Sequence, residues 1–299
     1  RARVVDVPAL SLREMEIDKY LSALRSGVED GPRPLHISLN ELYFLHRLLA
    51  ANPDVVKHAD AQAALVALLD KADALFGFAS GAEIGLEANP MEHERFAGIA
   101  SAGVERLSLG VQALDDDSLK RLGRDHDAQT GLQALDKAQE LFKRVSLDLI
   151  YAREDQTPDS WCRELETALG FGTGHMSLYQ LTIEPGTAFE RKLRRGALTP
   201  PTDDAAAEMY ALTQAVCASA GLPSYEISNH ARSPKDQSVH NRLYWEGEDW
   251  IGIGPGAHSR VGAHVRGGRS GAAAQRRPAH YIEAVRKGDG HAREVLDAE

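Results

Sequence analysis

A series of short apolar runs, each ending on a polar residue, constrains this chain more than any other feature. Between residues 83 and 151 the sequence reads EIGLEANP, RLSLGVQ, LGRDH and VSLDLIY, with helix-like stretches between these strings. Short continuous apolar runs predict strands buried on both faces, as in a parallel sheet. Glu87, Gln112 and Asp148 stand at or just past the ends of three of them. A carboxylate between Leu147 and Leu149 costs roughly 2–7 kcal/mol to bury unless something pairs with it. Ligands of parallel α/β folds sit at the carboxyl ends of the strands, so these three residues predict one shared site.

The order strand then helix repeats along most of the chain. Strands are predicted at 35–39, 83–88, 105–109, 145–151, 175–183 and 224–228. Helices are predicted at 14–26, 41–51, 61–76, 90–102, 117–122, 128–144, 158–169 and 203–220. Asn89 with Pro90, Asp115 to Asp117, and Thr157 with Pro158 carry the chemistry of helix starts, and Gly103 and Gly123 that of helix stops. Such alternation predicts parallel strands joined by right-handed crossovers. About six or seven units favour an open or closed (β/α) barrel over a doubly wound sheet, since no dinucleotide glycine fingerprint follows the first strand. Residues 185–201 read as an irregular excursion, 267–277 as a flexible connector and 278–287 as a last helix. The glycine-rich stretch WIGIGPGAH, 250–258, predicts close backbone approach.

With 299 residues and a net charge of −10, the chain has length for a large core and a balance that disfavours nucleic acid or anionic membrane as partner. No run of eighteen apolar residues and no signal-peptide pattern occurs, and the expected compartment is the cytoplasm. Cys162 and Cys217, far apart in helical patterns, read as small buried hydrophobes. His126, His175 and His280 read as ordinary polar or capping residues. No HExxH, Walker loop or serine nucleophile elbow is present, and no catalytic residue is assigned.

Taken in order, the strings LEANP, RLSLGVQALDD, LGRDH, LDLIYA, SLYQLTIEPGT, YEISNHAR, HNRLYW and GIGPGAH resemble the HemW and HemN family of the radical SAM superfamily, which holds haem chaperones and oxygen-independent coproporphyrinogen III oxidases. The resemblance spans about residues 81–258. It implies an incomplete, TIM-like (β/α) barrel over 1–230, with 1–80 divergent, and a truncated C-terminal extension over 231–299. It implies that Glu87, Gln112, Arg124 and Asp148 hold S-adenosylmethionine, with Arg124 suited to a carboxylate. It also implies that HNRLYW binds haem: His240 as a ligand of the haem iron, with Asn241 beside it and Tyr244 and Trp245 offering flat faces to a porphyrin. Read without the resemblance, the same motif is a structural turn whose aromatics pack on the barrel.

Three departures from the family pattern shape the expected function. The CxxxCxxC motif that holds the four-iron four-sulfur cluster is absent; in relatives it lies just ahead of the segment matching 14–26, so it is expected upstream of residue 1. The glycine loop GGGTPS, which meets the methionine end of the cofactor, is replaced by NELYFLHRLL, and Arg153 to Asp155 stand where relatives carry a Pro-Gly turn. The expectation is a HemW-like haem-binding or trafficking protein without radical activity in this chain, with haem or porphyrin and haem-accepting proteins at the membrane as partners. A coproporphyrinogen oxidase-like radical enzyme and a non-catalytic barrel remnant are the alternatives.

Overall fold

The structure, a computed structural model, describes residues 61–262, 269–287 and 291–295. The strand expected at 35–39, the helices at 14–26 and 41–51, and the segment in place of the glycine loop lie outside the described residues. Two compact units are present: one of residues 87–100 and 105–237, the other comprising the described parts of 1–86, 101–104 and 238–299.

The first unit is built on a five-stranded sheet of order β1 (Gly85–Ala88), β2 (Arg106–Gln112), β3 (Arg144–Tyr151), β4 (His175–Gln180) and β5 (Asn229–Ala231). β2, β3 and β4 run parallel. Leu107, Leu109, Leu147, Leu149, Met176 and Leu178 are almost wholly buried, the pattern of strands covered on both faces. This α/β arrangement is the one expected from an incomplete TIM-like barrel. The sequence placed the last strand at 224–228 and made it parallel. Instead that stretch forms turns, and the strand is three residues long, begins at Asn229 and pairs antiparallel with β4. The tight return after Pro223, where Ser224 bridges to His230, leaves no length for a crossover.

Helix boundaries follow side-chain chemistry. After β1, Asn89 accepts from the amide of Met91 and opens a short 3-10 turn, Pro90–Arg95, that runs into α2 (Phe96–Ser101); α1 (Ala61–Phe76) precedes β1 in the chain. Asp115 caps α3 (Asp116–Leu122), which Gly123 closes in the left-handed conformation. Asp127 caps α4 (Ala128–Leu141), whose Gly131, Ala134, Leu135 and Ala138 form its buried stripe. Thr157 and Ser160 make a reciprocal capping box at the start of α5 (Pro158–Gly170). Trp161 of α5 stacks on Tyr151 at 5.2 Å and donates to Thr213 of α7 (Asp203–Ser219) at 2.7 Å. The excursion expected at 185–201 contains a helix, α6 (Ala188–Arg194), because Thr187 caps it and Glu190 binds back to the amide of Gly186.

In the second unit α8 (Val239–Trp245) is followed by an antiparallel sheet of β6 (His258–Val261), β7 (Ser270–Ala274) and β8 (His291–Val295), with α9 (Pro278–Arg286) between the last two strands. Ala257, Ala274, Tyr281 and Val285 form its apolar cluster. The connector expected at 267–277 is thus largely a strand; its small residues let β7 lie between two neighbours. A Cβ on Gly252 would stand 2.4 Å from the carbonyl oxygen of His258, so that glycine is required by close backbone approach. Among the described residues no helix is long and apolar enough to cross a membrane.

Candidate functional site

Asp148 lies in the middle of β3, only 9% exposed. The parallel register sets Ser108 of β2 beside Ser146, and Ser177 of β4 beside Asp148. The hydroxyl of Ser108 is 2.8 Å from both carboxylate oxygens, and Ser146 donates to Oδ1 at 2.9 Å. Burial pushes the Asp148 carboxyl up to about 7; the serine hydroxyls oppose that rise, and Glu87 adds to it. A carboxylate held by neutral hydroxyls has acceptor capacity for a ligand's own hydroxyl or ammonium protons.

Glu87 is exposed on β1 and lies within the electrostatic reach of Asp148. Tyr179, at the exposed end of β4, feels both carboxylates. Gln112 ends β2 at φ 73°, after an irregularity in register that follows Leu109. A left-handed backbone at a non-glycine residue is a strained arrangement of the kind found at binding sites. Its Nε2 lies 2.6 Å from where a Cβ of Gly110 would stand, so the amide lies folded over that glycine. Buried His126 donates from Nε2 to the carbonyl of Val111 at 3.0 Å and fixes the chain just ahead of Gln112. Arg124 is exposed at the end of α3, and among the described residues no ion pair joins it to Asp148. Glu87 therefore lies within reach of Asp148, Gln112 ends the neighbouring strand β2, and among the described residues no ion pair joins Arg124 to the Asp148 carboxylate.

The stretch 153–155 keeps a tight turn without proline or glycine. Ala152 and Asp155 have φ of 55° and 62°, so Asp155 carries the left-handed backbone that a glycine adopts at little cost. Arg153 turns inward, pairs with Glu164 at 2.6 Å and donates to the carbonyl of Ile150. Glu164 also accepts from the amide of Leu114 and from Gln156. The departure from the family pattern is therefore compensated by an ion pair tying the β3 exit to α5.

In the other unit the HNRLYW motif is a helix. Ser238 caps α8 by accepting from the amide of Asn241. His240 and Tyr244 fall one turn apart; Nε2 of His240 is 3.1 Å from the Tyr244 hydroxyl, and Nδ1 is 3.4 Å from Oδ1 of Asn241. Burial lowers the pKa of His240, against the opposing pull of Asn241 and Glu83, so the ring is neutral near pH 7. With Nδ1 donating to Asn241, Nε2 carries the lone pair and accepts from Tyr244. The Tyr244 ring meets Trp250 edge-on at 4.3 Å, and Trp245 is 59% exposed. The motif brings His240, Asn241 and Tyr244 together and leaves an aromatic face open.

Sequence reasoning missed Ser108, Ser146 and Ser177. The available signal was the Ser-Leu pair recurring in RLSLG, VSLDL and MSLYQ, which places one hydroxyl on each of three adjacent strands. His175, read from the sequence as an ordinary polar or capping residue, is buried and bonded to Ser146 and Tyr225.

Comparison with known proteins bears directly on this geometry. Residues 31–168 match the radical SAM superfamily model. A bovine protein named "radical S-adenosyl methionine domain-containing protein 1, mitochondrial" is 44% identical over 195 residues, 62% of this chain and 44% of that protein. The "heme chaperone HemW" of Escherichia coli is 39% identical over 203 residues, 66% of this chain and 52% of that protein. In solved structures, coproporphyrinogen III oxidase (HemN) from Escherichia coli aligns with a TM-score of 0.68 at 20% identity, covering 92% of this chain and 75% of that one. Over the matched residues the chain is similar to HemW and to the radical S-adenosyl methionine domain-containing protein, and it has the fold of HemN.

The chain spans about half the length of the curated relatives it matches. The radical SAM family implies S-adenosylmethionine and a four-iron four-sulfur cluster. The Asp148 cage and the Gln112 amide suit the hydroxyls and ammonium of the former. The chain's own residues do not suit the latter. Its two cysteines lie on separate helices, and burial pushes the Cys217 thiol up to about 12. Burial and the neighbouring Glu166 also raise the Cys162 thiol, whereas a cluster takes thiolates. Among the described residues no group of three or more His, Cys, Asp or Glu is placed to hold a metal ion.

Proposed function

We propose that this chain is a HemW-like haem-binding protein whose cargo docks on α8, with His240 as ligand of the haem iron. The observation that carries the reading is the pair His240 and Tyr244: a neutral imidazole one turn from a tyrosine, with Tyr244 and Trp245 exposed beside it. Neutral imidazole is a good axial ligand, and flat aromatic faces suit a porphyrin. Tyr244 occupies the Nε2 lone pair in this structure, so haem uptake requires its hydroxyl to turn away. Haem or porphyrin is the small-molecule partner and haem-accepting proteins at the membrane are the recipients in this reading; the cytoplasm is its compartment. Titration with haem should saturate at one haem per chain, and uptake that never saturates would count against it.

Asp148, caged by serines, favours a second ligand at the sheet. There we propose that S-adenosylmethionine binds, with Asp148 taking its ribose hydroxyls or ammonium, Gln112 and Glu87 completing the polar edge and Arg124 reaching its carboxylate. Without thiolates for a cluster the chain by itself has no electron source for reductive cleavage, so it acts by binding alone. Calorimetry with S-adenosylmethionine should give heat that Asp148→Asn reduces. Release of 5′-deoxyadenosine by this chain with dithionite would overturn the absence of radical activity.

A further inference from the structure

A line of hydrogen bonds runs from Asp148 through the sheet to a half-buried tyrosine. Ser146 Oγ is 2.9 Å from Asp148 Oδ1, His175 Nδ1 is 2.7 Å from Ser146 Oγ, and the Tyr225 hydroxyl is 2.8 Å from His175 Nε2. The register explains the alignment, because Ser146 pairs with His175 across β3 and β4. All four residues belong to the same compact unit.

Proton counting gives the line a direction. An ionised carboxylate only accepts, so Ser146 spends its one proton on Asp148. Its oxygen then accepts from the Ser177 hydroxyl at 3.1 Å and from His175 at 2.7 Å, which places the imidazole proton on Nδ1. The imidazole is neutral: burial, helped by Arg106, His230 and Arg144, lowers its pKa well below the usual histidine value. Nε2 therefore holds a lone pair and receives the Tyr225 hydroxyl proton. Each donor in the line points toward the carboxylate, and Ser108 adds a further one from β2.

We propose that Tyr225, His175 and Ser146 form a positioning relay that favours the ionised form of Asp148 and fixes the orientation of its carboxylate. Were Asp148 to take up a proton, Ser146 would pass it its own, His175 would pass the Nδ1 proton to Ser146, and Tyr225 would pass its hydroxyl proton to Nε2. Solvent supplies the proton at the half-buried Tyr225, so charge and atoms balance. The groups facing the relay are Glu87 and Tyr179 around Asp148, and Arg106, Arg144 and His230 around His175. The consequence for cofactor binding rests on the reading of Asp148 as the S-adenosylmethionine carboxylate; the relay itself does not.

The test is carbon-13 NMR of the aspartate carboxyl groups across pH, with Asp148→Asn assigning the Asp148 signal. Tyr225→Phe keeps the ring and removes the terminal donor. It should move the Asp148 titration upward by about one pH unit, the scale of a weakened bond to a charged group. Long-range nitrogen-15 spectra of the wild type should show His175 protonated on Nδ1. An unmoved Asp148 titration in Tyr225→Phe, or a His175 proton on Nε2 while Asp148 is ionised, would overturn the relay. Calorimetry with S-adenosylmethionine on both proteins separates the two ideas: a moved titration without cofactor binding in either protein keeps the relay and removes the cofactor reading. Binding in both with an unmoved titration does the reverse.

Discussion

The hydroxyl of Ser108 stands 2.8 Å from each carboxylate oxygen of Asp148, bridging β2 and β3 with a single shared proton. The Asp148 pKa of about 7 in the folded protein lies above the ordinary aspartate value of about 3.9. The folded state therefore binds an extra proton between those values. Stability from this group is greatest at the acid side, falls as pH rises from about 4 to about 7 and is level above that. Asp148→Asn should remove this slope, so urea midpoints measured near pH 5 and near pH 8 should lie closer together than in the wild type. Equal slopes for the two proteins would contradict the assignment.

Gly110 leaves the space into which the Gln112 amide folds. The atom a new methyl group would meet is the end of a flexible side chain, so Gly110→Ala should cost little stability while displacing the amide. Thermal unfolding is expected to change by under about 1 kcal/mol, and S-adenosylmethionine affinity to fall about tenfold, the scale of one lost hydrogen bond. A large loss of stability would show instead that Gly110 is needed by the backbone.

Arg153 and Glu164 form an ion pair with side chains only 8% and 11% exposed. Removing Glu164 leaves Arg153 only the exposed Asp115 at 3.6 Å and the carbonyl of Ile150, and Glu164→Ala should destabilise the protein by about 3–5 kcal/mol. Denaturant unfolding checks this directly. A cost under about 1 kcal/mol, the range of exposed pairs, would mean that water already screens Arg153.

These cases also separate what the sequence discloses from what it hides. Apolar runs and capping residues disclose β3, α3 and α5 almost to the residue, and β2 and α4 with one end three residues off, because burial and capping are local chemistry. Asp148 was legible for the same reason, a charge among leucines. Its serine cage was not, since three hydroxyls from separate strands become neighbours only through register. Arg153 read as an oddity in a turn, and its partner Glu164, eleven residues on, is found only by the way β3 meets α5. The strand at Asn229–Ala231 was misplaced because a three-residue antiparallel pairing carries no periodic signal.

Haem ligation at His240 is decided by Soret absorbance followed during haem addition to the wild type, His240→Ala and Tyr244→Phe. Tyr244 competes for the His240 Nε2 lone pair. Saturable binding is expected in the wild type, weakened binding with a shifted Soret band in His240→Ala, and retained binding with the wild-type band in Tyr244→Phe. Identical curves and spectra for wild type and His240→Ala would contradict it.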